Sequence, residues 1–366
     1  MINYLLSSMM IALSFMQSPS DPMDVLKVAR EKIQSHQRIS YDYVGLYPNP
    51  AGSYDTAYKK AYFVQNAESP LEFDFIIKGD FFDHVLIDGD FRLANAFEKT
   101  VTLYPDDRPE LIQLELDNAS SIKRSSISLL KEQDWEYLKD TVMDKQGFAN
   151  YSRILVDRMH NGGRVLTEQH ILINKETHLL EGMQRRNYYK GNLTQRYVIT
   201  YKNYMLSQSS VPLKYELPEG YSTVFYGQVE EKEIIAVGSL APDFSIQDME
   251  GNQVNLAHYK GKKVLLNFSS VGCGYCHQAV QFFNENDLLP EDMVAFYVSV
   301  FDKKEMVRDY FQKIKAPYTV IPDGEELRVK YSAISTPNFI LINEEGVVEK
   351  TVIGFDKEFL KSLKKE

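Results

Sequence analysis

The chain has 366 residues, 44% of them hydrophobic, which is long for one core and apolar enough to fill two, so two domains are expected. Its formal net charge is −10, from 41 Lys and Arg against 51 Asp and Glu, and the basic residues form no clustered run. That excludes a nucleic-acid binder working through phosphate contacts.

The first seventeen residues, MINYLLSSMMIALSFMQ, carry no charged side chain and are mostly apolar from Tyr4 to Met16. This is the length of a secretory h-region and too short to span a bilayer. Residues 1–17 are therefore expected to be a signal peptide directing export, to the periplasm, with Ala12-Leu13-Ser14 as a small-x-small cleavage pattern. An uncleaved anchor or a buried N-terminal helix is the alternative, since the basic n-region is missing. No cysteine precedes residue 273 to carry a lipid, and no later stretch has the length and apolarity of a transmembrane helix.

Asp21-Pro22 has the form of a helix N-cap followed by Pro, with Met23, Leu26, Ala29 and Ile33 at helical spacing behind it. After His36 the period becomes two: Ile39, Tyr41 and Tyr43 alternate with polar residues, as do Leu71, Phe73 and Phe75. Asp88-Gly89, Asn161-Gly162-Gly163 and Lys190-Gly191-Asn192 sit between strand-like runs and are expected as hairpin turns. RVLTEQHILI and QRYVITYKNY are two of the longer strands. Residues 120–140 carry a helical signal with Ile127, Leu130 and the single Trp, Trp135. His160, His170 and His178 fall in this region and are expected at the surface. Residues 22–225 thus form an α+β domain, a helix followed by a Tyr-rich antiparallel sheet with a helical insertion, closing at VPLKYELPEGY. This order of elements resembles the lipoprotein carriers of the LolA/LolB type, half-open barrels with helices on the concave face. The resemblance implies an apolar cavity for a lipid or other apolar ligand, against the plainer reading that the aromatics fill a core.

Residues 226–236 read as a linker, within the charged-then-small run GQVEEKEIIAVGSL. From 237 to 366 the pattern is α/β. KKVLLNF and MVAFYVSV are continuous apolar runs suited to buried strands, and between them Cys276, Ala279, Val280 and Phe283 recur at helical spacing. Met306, Val307, Tyr310, Phe311 and Ile314 mark a second helix. NFILI and GVVEKTVIG form a hairpin, and Asp356 caps a last helix with Phe359, Leu360 and Leu363.

Both cysteines lie in SSVGCGYCHQAV, three apart, directly after a buried strand and at the opening of a helix. In a β-α-β unit that context makes C-x-x-C a redox dithiol. The first cysteine sits where free backbone N–H groups and the helix dipole favour a thiolate, and the second is one turn away. Cys273 is the expected attacking thiol and Cys276 the resolving one, with Gly274 and Tyr275 between them. CGYCH also fits a c-type haem site, but that pattern lacks support from a run lying between two buried strands. Zinc would need two more ligands, and His258 has no second partner. A peroxidatic site would want a proline where Leu266 stands. A structural disulfide closing so short a loop would add little stability. No cofactor and no metal is required.

Residues 237–366 resemble the exported thioredoxin-fold proteins of the TlpA/ResA type. APDFSIQDMEGNQVNLAHYKGKKVLLNFSS has that family's entry pattern, and ISTPNFILINEEG its T-P stretch. The resemblance implies a thioredoxin fold and an exported thiol-disulfide oxidoreductase, with protein thiols or disulfides and an upstream redox protein as partners. It also implies a cis-proline at Pro337, with Thr336, facing the dithiol. The sequence departs from the pattern at Gly272, where the family usually has Trp, and at Asn267, where thioredoxins carry a buried acid. Asp302 is the nearest acid after the next strand, although a residue opening a helix as in DKKEM is commonly an N-cap. His277 could tune Cys273 by its charge. The CGYCH string is shared with periplasmic isomerases of the DsbC kind and leaves the redox direction open. The second reading is a carrier of an apolar ligand in residues 22–225, with the dithiol region as accessory.

Overall fold

The computed structural model describes residues 22–105, 107–160, 162–227 and 234–364. The expected signal peptide, the cap residue Asp21 and most of the expected linker lie outside the described residues. Chain order begins with α1 (Pro22–Gln34), β1 (Arg38–Pro48), β2 (Tyr54–Gln65), β3 (Phe73–Gly79), β4 (Phe82–Ile87), β5 (Asp90–Asn95) and β6 (Thr100–Leu103). Three helices follow, α2 (Pro109–Asn118), α3 (Ser120–Lys123) and α4 (Ser126–Lys131). Then come β7 (Glu136–Met143), β8 (Gln146–His160), β9 (Gly163–Asn174), β10 (Leu180–Tyr189), β11 (Asn192–Ser207) and β12 (Ser222–Phe225). The last third holds β13 (Ser245–Gln247), β14 (Gln253–Asn255), β15 (Lys263–Ser269), α5 (Gly274–Glu285), β16 (Met293–Ser299) and α6 (Lys304–Lys313). It closes with β17 (Thr319–Ile321), α7 (Glu325–Lys330), β18 (Asn338–Ile342), β19 (Val348–Ile353) and α8 (Lys357–Ser362).

Strands β1 to β12 hydrogen-bond in the order β12-β6-β5-β4-β3-β2-β1-β11-β10-β9-β8-β7. Alternation alone predicts antiparallel neighbours, and β12 departs from it by pairing parallel with β6. The turns after β4 and β10 are tight because both central residues hold positive φ, 51° and 83° at Asp88-Gly89 and 51° and 80° at Lys190-Gly191.

Two compact units divide these elements, and neither is continuous in sequence. The first takes in the chain up to Tyr43, Lys60–Ile77 and Glu115–Leu213; the second takes in Val44–Lys59, Lys78–Leu114 and Lys214–Glu366.

In the first unit α1 buries Val25, Leu26, Ala29 and Ile33, one stripe of the helix, while the Arg30 guanidinium donates to the Leu130 and Glu132 carbonyls at the end of α4. The tyrosines of the sheet use their polar ends on the same helices. Tyr41 Oη accepts from the Ser126 N–H at 2.8 Å and Tyr201 Oη donates to the Arg124 carbonyl at 2.6 Å, so otherwise orphaned helix-end groups are satisfied by side chains whose rings fill the core. Burial pushes the Tyr41 hydroxyl up to about 12. The helical segment differs from the 120–140 expectation: it runs from Pro109 to Lys131 in three pieces, and Trp135 follows it, its indole N–H bonded to the Leu129 carbonyl at 2.8 Å. Pro109 opens it, where a missing N–H costs nothing. His170 is also a correction: it is buried, 3.4 Å from Glu168, because both faces of β9 are covered near its C-terminal end.

In the second unit β15 is central in the order β17-β16-β15-β18-β19, parallel to β16 and antiparallel to β18. This is the thioredoxin fold. Val264, Leu266 and Phe268 point to one apolar layer, and Leu265 points to the other, where Ala279 and Phe283 of α5 dock. Pieces from early in the chain pack in the same unit. Phe97 meets the Phe301 ring edge-on at 4.9 Å, Glu98 lies 3.4 Å from the buried Arg328, and Ala51 packs on the cluster around Val271 and Val280.

Candidate active site

β15 delivers the chain to the site. Its last residues run into the turn Ser270-Val271-Gly272, and Cys273 is the N-cap of α5, with φ −86° and ψ 115°. The helix opens at Gly274, and the Cys276 N–H donates to Cys273 Sγ at 3.1 Å, so the sulfur does the work that Ser or Asp performs at other helix starts. A sulfur held there is a favoured place for negative charge.

Cys273 and Cys276 are joined in a disulfide, their Cα atoms 5.2 Å apart. The two sulfurs differ in access: Cys273 is half-buried, whereas Cys276 is 1% exposed. Tyr275 stands beside them, 65% exposed. The Thr336–Pro337 bond is cis, and the Thr336 carbonyl oxygen lies 3.7 Å from Cys273 Sγ. Pro337 itself is buried, its carbonyl accepting from the Gly354 N–H at 2.8 Å.

Asp302 is not the plain N-cap its sequence position suggests. The cap of α6 is Lys303, and the Asp302 carboxylate turns back to the dithiol turn instead. It accepts from the Val271 N–H at 2.9 Å, from Ser270 Oγ at 2.9 Å and from Ser299 Oγ at 2.6 Å. Burial lifts its proton affinity above the ordinary carboxylate range, the three donors oppose that, and the Asp55 charge adds to it. Asn267 is fully buried, its amide donating to Tyr318 Oη at 2.6 Å and accepting from Ser269 Oγ at 2.7 Å. His277, in the first turn of α5, shares a hydrogen bond of 2.7 Å with Tyr310 Oη, and burial lowers its affinity for a proton. Burial thus favours the neutral imidazole over a cation beside the dithiol.

Residues 237–351 match the AhpC/TSA family. The chain is 31% identical over 140 residues to the thiol-disulfide oxidoreductase ResA of Geobacillus thermodenitrificans, covering 37% of this chain and 79% of that protein. The chain belongs to the ResA-type thiol-disulfide oxidoreductases. It is also 28% identical over 134 residues to the thioredoxin-like protein YneN of Bacillus subtilis, covering 35% of this chain and 79% of that one. Among solved structures it is similar to StoA from Bacillus subtilis, at 24% identity and a TM-score of 0.30, over 34% of this chain and 98% of that one.

In this oxidoreductase the fold brings together Cys273, Cys276, Thr336 and, through the Ser270-Val271 turn, Asp302. Asn267 and His277 lie nearby but are tied to the hydroxyls of Tyr318 and Tyr310. Sequence reasoning missed Ser270 and Ser299, whose hydroxyls complete the Asp302 cradle, and Tyr310 and Tyr318. Ser299 is the last residue of β16 and Ser270 the first after β15; their places at the strand ends were the available signal. Among the described residues no group of three or more His, Cys, Asp or Glu is placed to hold a metal ion, and no helix is long and apolar enough to cross a membrane.

Proposed function

We propose that this oxidoreductase exchanges disulfides with exported protein partners through Cys273 as attacking sulfur and Cys276 as resolving sulfur. The difference in access between the two sulfurs is the observation that carries this reading. In the reduced enzyme the Cys273 thiolate attacks one sulfur of a partner disulfide, forming a mixed disulfide and releasing the partner's other sulfur as a thiolate. Cys276, deprotonated, then attacks Cys273 Sγ; the intramolecular disulfide forms and the partner's second sulfur leaves. The enzyme dithiol is oxidised by two electrons, the partner disulfide is reduced, and the protons of the two enzyme thiols pass to the released thiolates through solvent. The reverse sequence oxidises a partner dithiol.

Thr336, joined by the cis bond to the buried Pro337, offers the backbone edge on which a partner strand would lie, with its carbonyl beside the attacking sulfur. Asp302 tunes the dithiol turn, since an ionised carboxylate there disfavours a nearby thiolate while a protonated one does not. His277 and Asn267 act on the site through packing and hydrogen bonds. Residues 237–366 are the catalytic domain in this reading and residues 22–225 an accessory one, following a signal segment at 1–17 that sends the chain to the periplasm. The comparisons lend a carrier role no support.

A Cys276→Ser variant should accumulate mixed disulfides with partners, visible on non-reducing gels and lost on adding a thiol. If it traps nothing, and Cys273→Ser still reduces protein disulfides, the assignment of the two sulfurs is wrong.

A further inference from the structure

The tip of the β1–β2 hairpin comes from the far end of the sequence to the dithiol. Ala51 packs on the cluster containing Val271 and Val280, the residues that flank the C-x-x-C segment. Asp55 is clamped by Asn49, whose side-chain amide donates to Oδ1 at 3.0 Å, and Asn49 in turn accepts from the Ser53 N–H at 3.0 Å. The other oxygen, Oδ2, lies 3.6 Å from where a Cβ on Gly272 would sit. Gly272 is the residue directly before Cys273, and its missing side chain leaves the space beside the carboxylate open.

We infer that Asp55 is a positioning residue for the redox reaction, a carboxylate supplied by the sheet hairpin that disfavours the Cys273 thiolate and so holds the dithiol on the reducing side. The inference rests on Cys273 being the attacking sulfur. A negative charge beside a helix-capping thiolate opposes the stabilisation that the helix start provides. Since the thiolate is a form of the reduced couple, making it less favourable favours the disulfide, and the couple becomes a stronger electron donor. The effect of Asp55 already reaches Asp302, whose proton affinity it raises from across the same turn. The groups around Cys273 are Asp55 from the hairpin, Asp302 after β16, His277 and Tyr275 on α5, and Tyr310 on α6. Burial favours the neutral form of both His277 and the Tyr310 hydroxyl. The charge set there by these groups is therefore negative, and Asp55 is its contribution from outside the thioredoxin fold.

The test is Asp55→Asn in the full chain. The new amide oxygen can still accept from Asn49, so the hairpin keeps its clamp. Two readouts are needed: the pH dependence of Cys273 alkylation in the reduced enzyme, and the dithiol-to-disulfide ratio in a fixed glutathione buffer. Asp55→Asn should move the alkylation midpoint to lower pH and raise the dithiol-to-disulfide ratio about threefold to tenfold, or about 14 to 30 mV at 29.6 mV per decade. Asp55→Glu should remain near the parent in both. Raising the salt concentration should shrink the difference, because the hairpin lies at a solvent-accessible surface. An unshifted midpoint and ratio in Asp55→Asn would overturn the inference, as would an equal shift in Asp55→Glu. Loss of turnover in Cys273→Ser alongside an unshifted Asp55→Asn would remove the hairpin's role and leave the dithiol mechanism standing.

Discussion

The tyrosine-filled core of the first unit and the dithiol tip of the second both place polar groups out of solvent, with opposite results. Around Tyr41 and Tyr201 each hydroxyl meets a backbone group at a helix end, and burial pushes the Tyr41 hydroxyl far from any working pH. Nothing there changes state; the polar atoms fix how helices lie on strands. At the dithiol the polar groups are poised. Asp302 has three donors yet still holds its proton more tightly than an ordinary carboxylate, one cysteine is half-buried, and the other is sealed. Burial of a group that is neutral anyway builds structure, whereas partial burial of a group whose charge matters builds chemistry.

The contrast breaks most sharply at the sulfurs. Cys273→Ser should reduce disulfide exchange to background, measured as reduction of a protein disulfide, while the fold survives as judged by far-ultraviolet dichroism. A Cys276→Ser enzyme should instead complete the first attack and stall as the mixed disulfide. In the first unit the expected damage is of the other kind. Tyr41→Phe leaves the buried Ser126 N–H without its acceptor and should cost about 1 to 3 kcal/mol in denaturant unfolding, with the dithiol equilibrium in glutathione unchanged. If Tyr41→Phe shifts that equilibrium, the two regions are not separable in the way their geometry suggests.

Asp302→Asn sharpens the comparison further, and with a smaller effect. The folded protein binds the Asp302 proton more tightly than the unfolded chain does, so this group's stabilising share is fullest below its ordinary value of 3.8 and declines as pH rises through the raised folded value. Asp302→Asn should lack that decline, seen as a flatter dependence of the urea midpoint as pH rises above the ordinary carboxylate value. The same variant should bring Cys273 alkylation to lower pH, in the direction expected of Asp55→Asn, because each removes one negative charge from the turn.

Much of the catalytic region could be read from the sequence. KKVLLNF and MVAFYVSV gave their strands by continuous apolar character, and Cys276, Ala279, Val280 and Phe283 are the buried residues of α5. Helix α7 was missed, because EELRVK is short and charged and buries only Leu327 and Arg328. In the earlier part of the chain alternation found strands such as β9 and β11, but Pro109 to Lys131 broke into three helices too short for periodicity to resolve. His170 was misplaced at the surface, since the burial of both faces of β9 depends on what covers them. Asp302 was legible as a candidate, but its role could not be chosen, because an acid before a helix is a cap or something else according to where its oxygens point.

The sequence by itself determined the dithiol, its place at a helix start, the strand before it and the T-P stretch, because each is written in residues close together along the chain, where local dihedrals and spacing decide the geometry. Only the tertiary structure decided that Asp302 cradles the Ser270-Val271 turn, that tyrosine hydroxyls close the helix ends, and that Asp55 lies beside Gly272. Those arrangements join residues far apart in sequence, and which of many polar side chains meets a given partner is set by packing of whole elements, for which no local pattern exists.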